Sequence, residues 1–286
     1  MKKYSGFTGG VIKNTTNWRS RFIIGTATTG TVRMEWVQAR YSQLIPTNWS
    51  SAEIMQWIPS YCPLQYMVSD AQNIIVKKAI EQDAEWLFLL EEDNVLPPNT
   101  FWRLNDYMSK RKIPVISGLY FTKSNPPEPM IYRGYGDSYY SDWRIGDKVW
   151  ASGIPTGTFL CHMSIIRAMW NESPEYKAGD VLTRRVFAEP HKTWFNPERG
   201  RMETQTGTSD LGWCDRVIKE KFLEKAGWPD IQKKKYPFLV DTNIFVQHIN
   251  QSGTMYPLVL PKEFEPLPKE VKKNARHIEA NKSWNL

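Results

Sequence analysis

An apolar run, Leu87-Phe88-Leu89-Leu90, passes without a break into three consecutive carboxylates, Glu91-Glu92-Asp93, and then Asn94. A run this short and this apolar suits a strand covered on both faces, as inside a parallel sheet. Val95-Leu96-Pro97-Pro98 follows, and a proline pair cannot continue a ladder, so the chain must turn away there. In open α/β sheets ligands bind at the carboxyl ends of the strands. Acidic groups crowded at such an edge repel one another unless a cation neutralises them, and hard divalent cations take oxygen ligands. Alone, an acidic triplet is more simply a solvated turn. What the rest of the chain brings to it decides.

The flanking sequence alternates between strand and helix patterns. Arg21 to Thr26 reads as a first strand, and Ala27-Thr28-Thr29-Gly30 as a loop of small residues that a ligand can approach. Thr31 is placed to cap a helix reaching about Leu44, with Met34, Val37 and Tyr41 on one stripe. The segment from Pro46 to Cys62 has no assignable pattern. Leu64 to Val68 reads as a short strand. Ser69-Asp70-Ala71-Gln72 matches a capping box, opening a helix to about Gln82 with Ile75 and Ala79 inward. After the strand at 86–90, Asn99 or Thr100 caps a helix that buries Phe101, Leu104 and Met108, and Ile113 to Gly118 forms another strand. This β-α-β-α-β order predicts an α/β fold with a mostly parallel central sheet flanked by helices. The first loop lacks the glycine spacing of a dinucleotide fingerprint or a P-loop.

Beyond Thr122 the text changes to prolines, glycines and tyrosines, a long excursion to Trp150 with room for one hairpin. Gly153 to Thr158 introduces a strand, Phe159 to Met163, and a helix through Trp170. Asn171 to Thr206 shows no periodicity and reads as an active-site lid. Ser209 caps a helix with Leu211, Cys214, Ile218 and Phe222 on one face, and Gly227 stops it. Phe238 to Ile249 reads as a single closing strand carrying Asp241 early and His248 late.

Composition narrows the function classes. The 286 residues carry a net charge of +7, which favours anionic partners such as nucleotide phosphates or nucleic acid. Three cysteines at distant positions give neither a metal spacing nor a disulfide framework, which suits a reducing compartment. No apolar h-region precedes Ser20, and no run approaches the ~18 apolar residues of a membrane span. The expected location is cytoplasmic, in the host's cytoplasm if the gene is viral.

Three separated features share one logic. Glu91-Glu92-Asp93 closes a strand, Asp210 lies in the first turn of a helix, where the helix's positive end favours its ionised form, and His248 ends the last strand. Each alone has a structural explanation. Their order resembles that of the GT-A fold glycosyltransferases, in particular inverting, family-2-like enzymes, from about Phe22 to Ile249. Glu91-Glu92-Asp93 resembles the acidic D-x-D motif, with Glu91 in place of the first Asp. Thr208-Ser209-Asp210-Leu211-Gly212-Trp213-Cys214 resembles the E-D-x-x-(aromatic)-C block, with Ser209 in place of the Glu. Gly153 to Ile166, including Gly157, is similar to the segment lining the sugar pocket.

The resemblance implies a nucleotide-sugar donor, UDP-linked by preference, and a cation, Mn²⁺ or Mg²⁺, on Glu91, Asp93 and His248. It implies Asp210 as base and donor contacts from Thr26, Ala27, Asp70, Asn73, Glu92 and Gly157. Gln72 stands where the family carries an arginine, and Tyr120, Trp194 and Trp213 are candidate stacking surfaces. The implied organisation is a single GT-A domain over 21–260 after an arm at 1–20. Its nucleotide-binding half is 21–121 and its acceptor half 150–250, and a basic C-terminal extension covers 261–286. Arg184-Arg185, Lys233-Lys234-Lys235 and the tail lysines permit an acceptor such as a hydroxylated base in DNA. A nucleotidyltransferase and a non-catalytic binding protein of the same fold are the alternatives; the first would ordinarily show a basic, glycine-rich first loop, absent from Gly25 to Gly30.

Overall fold

The computed structural model describes residues 22–46, 62–134 and 139–258. The arm at 1–20, the basic extension and most of the unassigned 46–62 segment lie outside the described residues.

The strand expected before the acidic triplet is β2 (Trp86–Leu90), and all five of its residues are buried. Burying each such side chain contributes roughly 1.5–3 kcal/mol, so this strand anchors the core. It pairs in parallel with β1 (Phe22–Gly25), matching Phe22 to Trp86 and Gly25 to Leu89. Between them in the chain lie α1 (Met34–Tyr41) and α2 (Val68–Glu81). After β2 come the short β3 (Asn94–Val95), α3 (Thr100–Lys110) and β4 (Val115–Leu119). The excursion from Tyr120 includes β5 (Lys148–Ala151) and returns as β6 (Thr158–His162) and α4 (Met163–Glu172).

Two hairpins follow, β7 (Glu175–Ala178) with β8 (Val181–Arg184), and β9 (His191–Asn196) with β10 (Arg201–Thr206). The chain closes through α5 (Ser209–Lys219), α6 (Phe222–Lys225), α7 (Pro229–Gln232), β11 (Phe238–Phe245), β12 (Gln247–Ile249) and β13 (Met255–Tyr256). No described helix is long and apolar enough to cross a membrane.

The main sheet has the order β1-β2-β6-β4-β11-β5. Pairings make β1, β2, β4 and β11 run one way and β6 and β5 the other, so four of six strands share a direction. The α/β architecture is therefore as expected, with helices flanking a mostly parallel sheet of Rossmann-like kind. One strand departs from it: β6 lies antiparallel between β2 and β4, with Leu90 opposite Thr158. β6 thus starts where β2 ends, and the loop before it, Pro155 to Gly157, lies at the carboxyl edge of the sheet.

Several local expectations are corrected. Helix α1 starts at Met34 with Arg33 at its N-cap, not Thr31, and Met34 and Tyr41 are 65% and 56% exposed. It buries Trp36, Ala39 and Arg40 instead, because the Trp36 indole N–H donates to the Glu91 carbonyl (2.9 Å) and Arg40 lies over the Phe101 ring. The strand expected over Leu64–Val68 is a single bridge between Leu64 and Thr28, and α2 already begins at Val68. The Ser69–Gln72 capping box does not form, since Met67 occupies the N-cap and the Gln72 side chain is drawn into the interior. In α5 the N-cap is Thr208, and the buried face is Ser209, Trp213, Cys214 and Val217. Phe222 belongs to the separate α6.

The expected lid is two ribbons. Phe195 and Met202 pair across β9–β10 yet are 58% and 61% exposed. A ribbon without a buried face has no reason to alternate apolar and polar residues, so no period marks it in the sequence. The single strand expected over 238–249 divides: the register of β11 against β4 shifts between Asp241 and Phe245, and β12 joins a three-stranded sheet, β13-β12-β3.

His162 makes the fold pH-sensitive. It is the N-cap of α4, and its Nδ1 accepts from the Ser164 backbone N–H (3.2 Å). Burial, followed by the nearby Arg111 and Arg167, lowers its pKa from 6.5 to about 4. The folded protein keeps this ring neutral while the unfolded chain protonates below pH 6.5. Stability is therefore full above that pH and falls as pH drops towards 4, by up to about 3 kcal/mol. Urea midpoints measured at pH 7 and pH 5 should show the loss, and His162→Asn, which retains a capping oxygen, should show less of it.

Candidate metal and active site

The acidic triplet forms a tight turn at the sheet edge. Glu91 N–H donates to the Gly157 carbonyl (3.0 Å), and Asn94 N–H donates to the Glu91 carbonyl (3.2 Å). The turn leads into β3, and β12 pairs with β3 so that His248 lies opposite Asn94. The Ile249 N–H donates to the Asp93 carbonyl (2.8 Å). This second sheet closes the long sequence gap, and one ligating atom each from Glu91, Asp93 and His248 lies within 4.8 Å of the others.

The tautomer of His248 follows from its neighbours. Nδ1 lies 2.8 Å from the Phe121 carbonyl, which can only accept, so Nδ1 carries a proton. In the neutral ring Nε2 then presents its lone pair, and it lies 3.2 Å from Asp93 Oδ2. Two lone-pair atoms facing each other call for a cation between them, either a proton on the ring or a metal ion. A carbonyl fixing the far nitrogen is the usual support of a metal-bound imidazole.

The electrostatics agree. Glu91 is pushed up to about 8, chiefly by burial and then by the charges of Asp93 and Asp210. Burial also pushes Asp93 upward, but His248 and the ammonium of Lys123 outweigh it and hold the carboxyl below its ordinary range. Lys123 pairs directly with Asp93 Oδ2. The other oxygen, Asp93 Oδ1, is buried without a hydrogen-bond partner among the described residues. Acids this crowded, with one carboxylate oxygen lacking a donor and an imidazole whose Nε2 faces the other, hold protons in places that a divalent cation would take over by displacing them.

Gly157 holds the wall opposite. A Cβ there would stand 2.0 Å from Asn94 Nδ2, 2.5 Å from the Tyr120 hydroxyl and 2.7 Å from Glu91 Oε2. Only glycine lets these groups meet. The Gly157 N–H donates to the Tyr120 hydroxyl (2.8 Å), and Tyr120 packs edge-on to His248.

Asp210, in the first turn of α5, has its carboxyl pushed up by burial and accepts from the Leu211 N–H (2.8 Å). Its neighbour Ser209 is tied through Gln72 to Thr156, the residue before Gly157, which brings the start of α5 to the Gly157 loop. Gln72 locks its position, accepting from the Ser209 hydroxyl (3.0 Å) and donating to the Thr156 hydroxyl (2.9 Å). The residue standing in place of the family's arginine is thus a strut between α2, α5 and the Gly157 loop.

The remaining expected residues divide. Glu92 turns away from the cluster: one oxygen accepts from the Thr28 hydroxyl and the Thr29 N–H (2.9 Å), the other from the Thr29 hydroxyl (2.8 Å). It clamps the first loop, in which Thr26 is buried and Ala27 half-buried. Asn73 is corrected to a structural tie, with its amide donating to the Tyr176 hydroxyl and Phe187 carbonyl and accepting from the Val186 and Phe187 N–H groups. No donor or acceptor of that side chain is left for a ligand. Asp70 accepts from the Tyr176 hydroxyl (2.6 Å) on the same ribbon.

Trp213 is core, buried edge-on to Phe159 and stacked on Phe187, and Trp194 lies half-buried on β9. Of the basic groups, Arg184 donates to the Trp170 and Asn171 carbonyls at the end of α4, and Lys233 pairs with Asp230. Sequence reasoning missed Lys123, Asn94 and the Thr28–Thr29 clamp. Asn94 adjoins the triplet and could have been found; nothing in the spacing marks Lys123.

No protein-family model matches the chain, and no curated protein matches its sequence. Among solved structures, A197 from STIV is similar at 12% identity and a TM-score of 0.49, over 83% of this chain and 90% of that one. A CMP:2-keto-3-deoxy-manno-octonic acid synthetase bound to CTP is similar at 7% identity and a TM-score of 0.28, over 92% and 100%. A Bacillus anthracis protein assigned as a glucose-1-phosphate thymidylyltransferase shares 9% identity at a TM-score of 0.28, over 54% and 75%. Likenesses this distant do not bear on activity.

Proposed function

We propose that the chain is a metal-dependent glycosyltransferase of GT-A type, moving a sugar from a nucleotide-sugar donor to an acceptor hydroxyl with inversion. The observation that carries the reading is the convergence of Glu91, Asp93 and His248 at the carboxyl edge of the sheet, with the start of α5, which bears Asp210, tied to the Gly157 loop through Gln72. Glu91, Asp93 and His248 would hold Mn²⁺ or Mg²⁺, the imidazole favouring Mn²⁺. When bound, the cation would act as a Lewis acid on the donor's diphosphate.

The protein's own groups do the rest. Lys123, free to leave Asp93 once that carboxylate is neutralised, would face the negative charge growing on the leaving diphosphate. The loop of Thr26 and Ala27, held by Glu92, would receive the nucleoside, and Gly157 would let Asn94, Tyr120 and Glu91 close up beside the sugar. Asp210 takes the acceptor's proton; burial makes its carboxylate a stronger base than one in water. Asp70 would be a further donor contact through the carboxylate oxygen that Tyr176 does not use. Nothing in the basic groups described supports a nucleic-acid acceptor over a glycan.

The test is a thermal-shift panel of nucleotide sugars and nucleoside triphosphates, each with and without Mn²⁺. One nucleotide sugar at 100 times its Kd should stabilise the protein by about 2.7 kcal/mol, and only with the metal present. Stabilisation by triphosphates alone would move the assignment to a nucleotidyltransferase. No stabilisation by any member would reject the proposal.

A further inference from the structure

The cluster of three ligands leaves one neighbour unexplained. Asn94 is 1% exposed, and neither its amide nitrogen nor its amide oxygen has a hydrogen-bond partner among the described residues. A buried carboxamide without partners is rare in a settled fold, because both of its polar ends have given up water for nothing in return. Its backbone is not at fault, since Asn94 N–H is bonded to the Glu91 carbonyl.

The side chain lies where the cluster is. Asn94 is the cross-strand partner of His248, and its amide crowds against the Gly157 Cα together with Glu91 Oε2 and the Tyr120 hydroxyl. Asp93 Oδ1, on the preceding residue, is likewise buried and unpartnered. The amide N–H₂ does not bond the nearby Glu91 carboxyl, so the group is not held as a donor to the acids. What a carboxamide, two carboxyls and an imidazole share is the ability to coordinate a cation.

We infer that Asn94 is a fourth protein ligand of the cation, through its carboxamide oxygen, which a half-turn of the amide can bring to either side. This rests on the metal reading above. It also explains why the position is not a third acid. Once a cation displaces the Glu91 proton, Glu91 and Asp93 together balance a divalent charge, and a neutral oxygen fills a further coordination position without repelling the donor's diphosphate.

The test uses Mn²⁺ alone, measured by the loss of its free-ion magnetic resonance signal, together with the melting temperature of the metal-free protein. Asn94→Leu keeps the volume and removes both orphaned polar atoms. It should melt at the same or a higher temperature than the parent while binding Mn²⁺ at least about tenfold more weakly. Asn94→Asp restores a ligating oxygen and should bind Mn²⁺ as tightly as the parent or more tightly.

A metal-free Asn94→Leu protein that is destabilised while its Mn²⁺ affinity is unchanged would make Asn94 a structural amide and overturn the inference. If Asn94→Leu is destabilised and also binds weakly, Asn94→Asp decides: binding kept supports a ligand, and binding lost overturns it. Asp93→Asn separates this inference from its premise. If the parent binds Mn²⁺ and Asp93→Asn does not, an unchanged Asn94→Leu defeats only the role of Asn94. No Mn²⁺ binding by the parent defeats both.

Discussion

Asp210→Asn should lower the rate of sugar transfer by about 10²–10⁴-fold while leaving donor and Mn²⁺ dissociation constants within about twofold. The variant keeps the shape of the site. An asparagine oxygen can still accept from the Leu211 N–H, and the Ser209–Gln72–Thr156 chain that fixes this end of α5 does not involve the carboxyl. Only the ability to take a proton is removed. Because the native carboxyl is buried and its pKa is raised, the exchange also removes a desolvated charge, so the melting temperature should not fall. Chromatographic assay of transfer and calorimetry of binding give the two halves. A rate within tenfold of the parent would show that Asp210 is not the base.

Asp93→Asn should have the larger effect on cation binding, weakening it by about a hundredfold or more and abolishing transfer with it. Asp93 is the carboxylate the site keeps ionised, whereas Glu91 is held largely protonated by burial and by its acidic neighbours. Removing it takes away the strongest anionic ligand and leaves His248 Nε2 facing a neutral amide. The cost to folding should be small, under about 1 kcal/mol, since Asp93 and Lys123 are each about one-third exposed and the lysine can turn to solvent. Mn²⁺ titration of a variant that melts like the parent reads this directly. Unchanged affinity would remove Asp93 from the ligand set.

How far the sequence reveals this arrangement depends on whether a residue's role is written in local pattern. The strand at 86–90 and the inward face of α3 are legible because continuous burial and a 3.6-residue stripe leave their mark in composition. The faces of α1 and α5 mislead, since their buried sides include Trp36, Arg40 and Ser209, polar or amphipathic groups satisfied by distant partners. The Ser69–Gln72 motif fits a cap by spacing, but its glutamine serves α5, 137 residues away from Gln72 at Ser209. Glu91, Asp93 and His248 can be nominated together only through order along the chain. Their meeting depends on the split between β11 and β12, which no periodicity announces. Lys123 and the Glu92 clamp are visible only once loops far apart in sequence are brought to one edge.

The most direct test is the electron spin-echo spectrum of the protein loaded with Mn²⁺. Binding at Glu91, Asp93 and His248 predicts modulation from one imidazole nitrogen that disappears in His248→Ala while weaker Mn²⁺ binding persists. Bound Mn²⁺ with no imidazole modulation, or modulation that survives His248→Ala, would contradict the account.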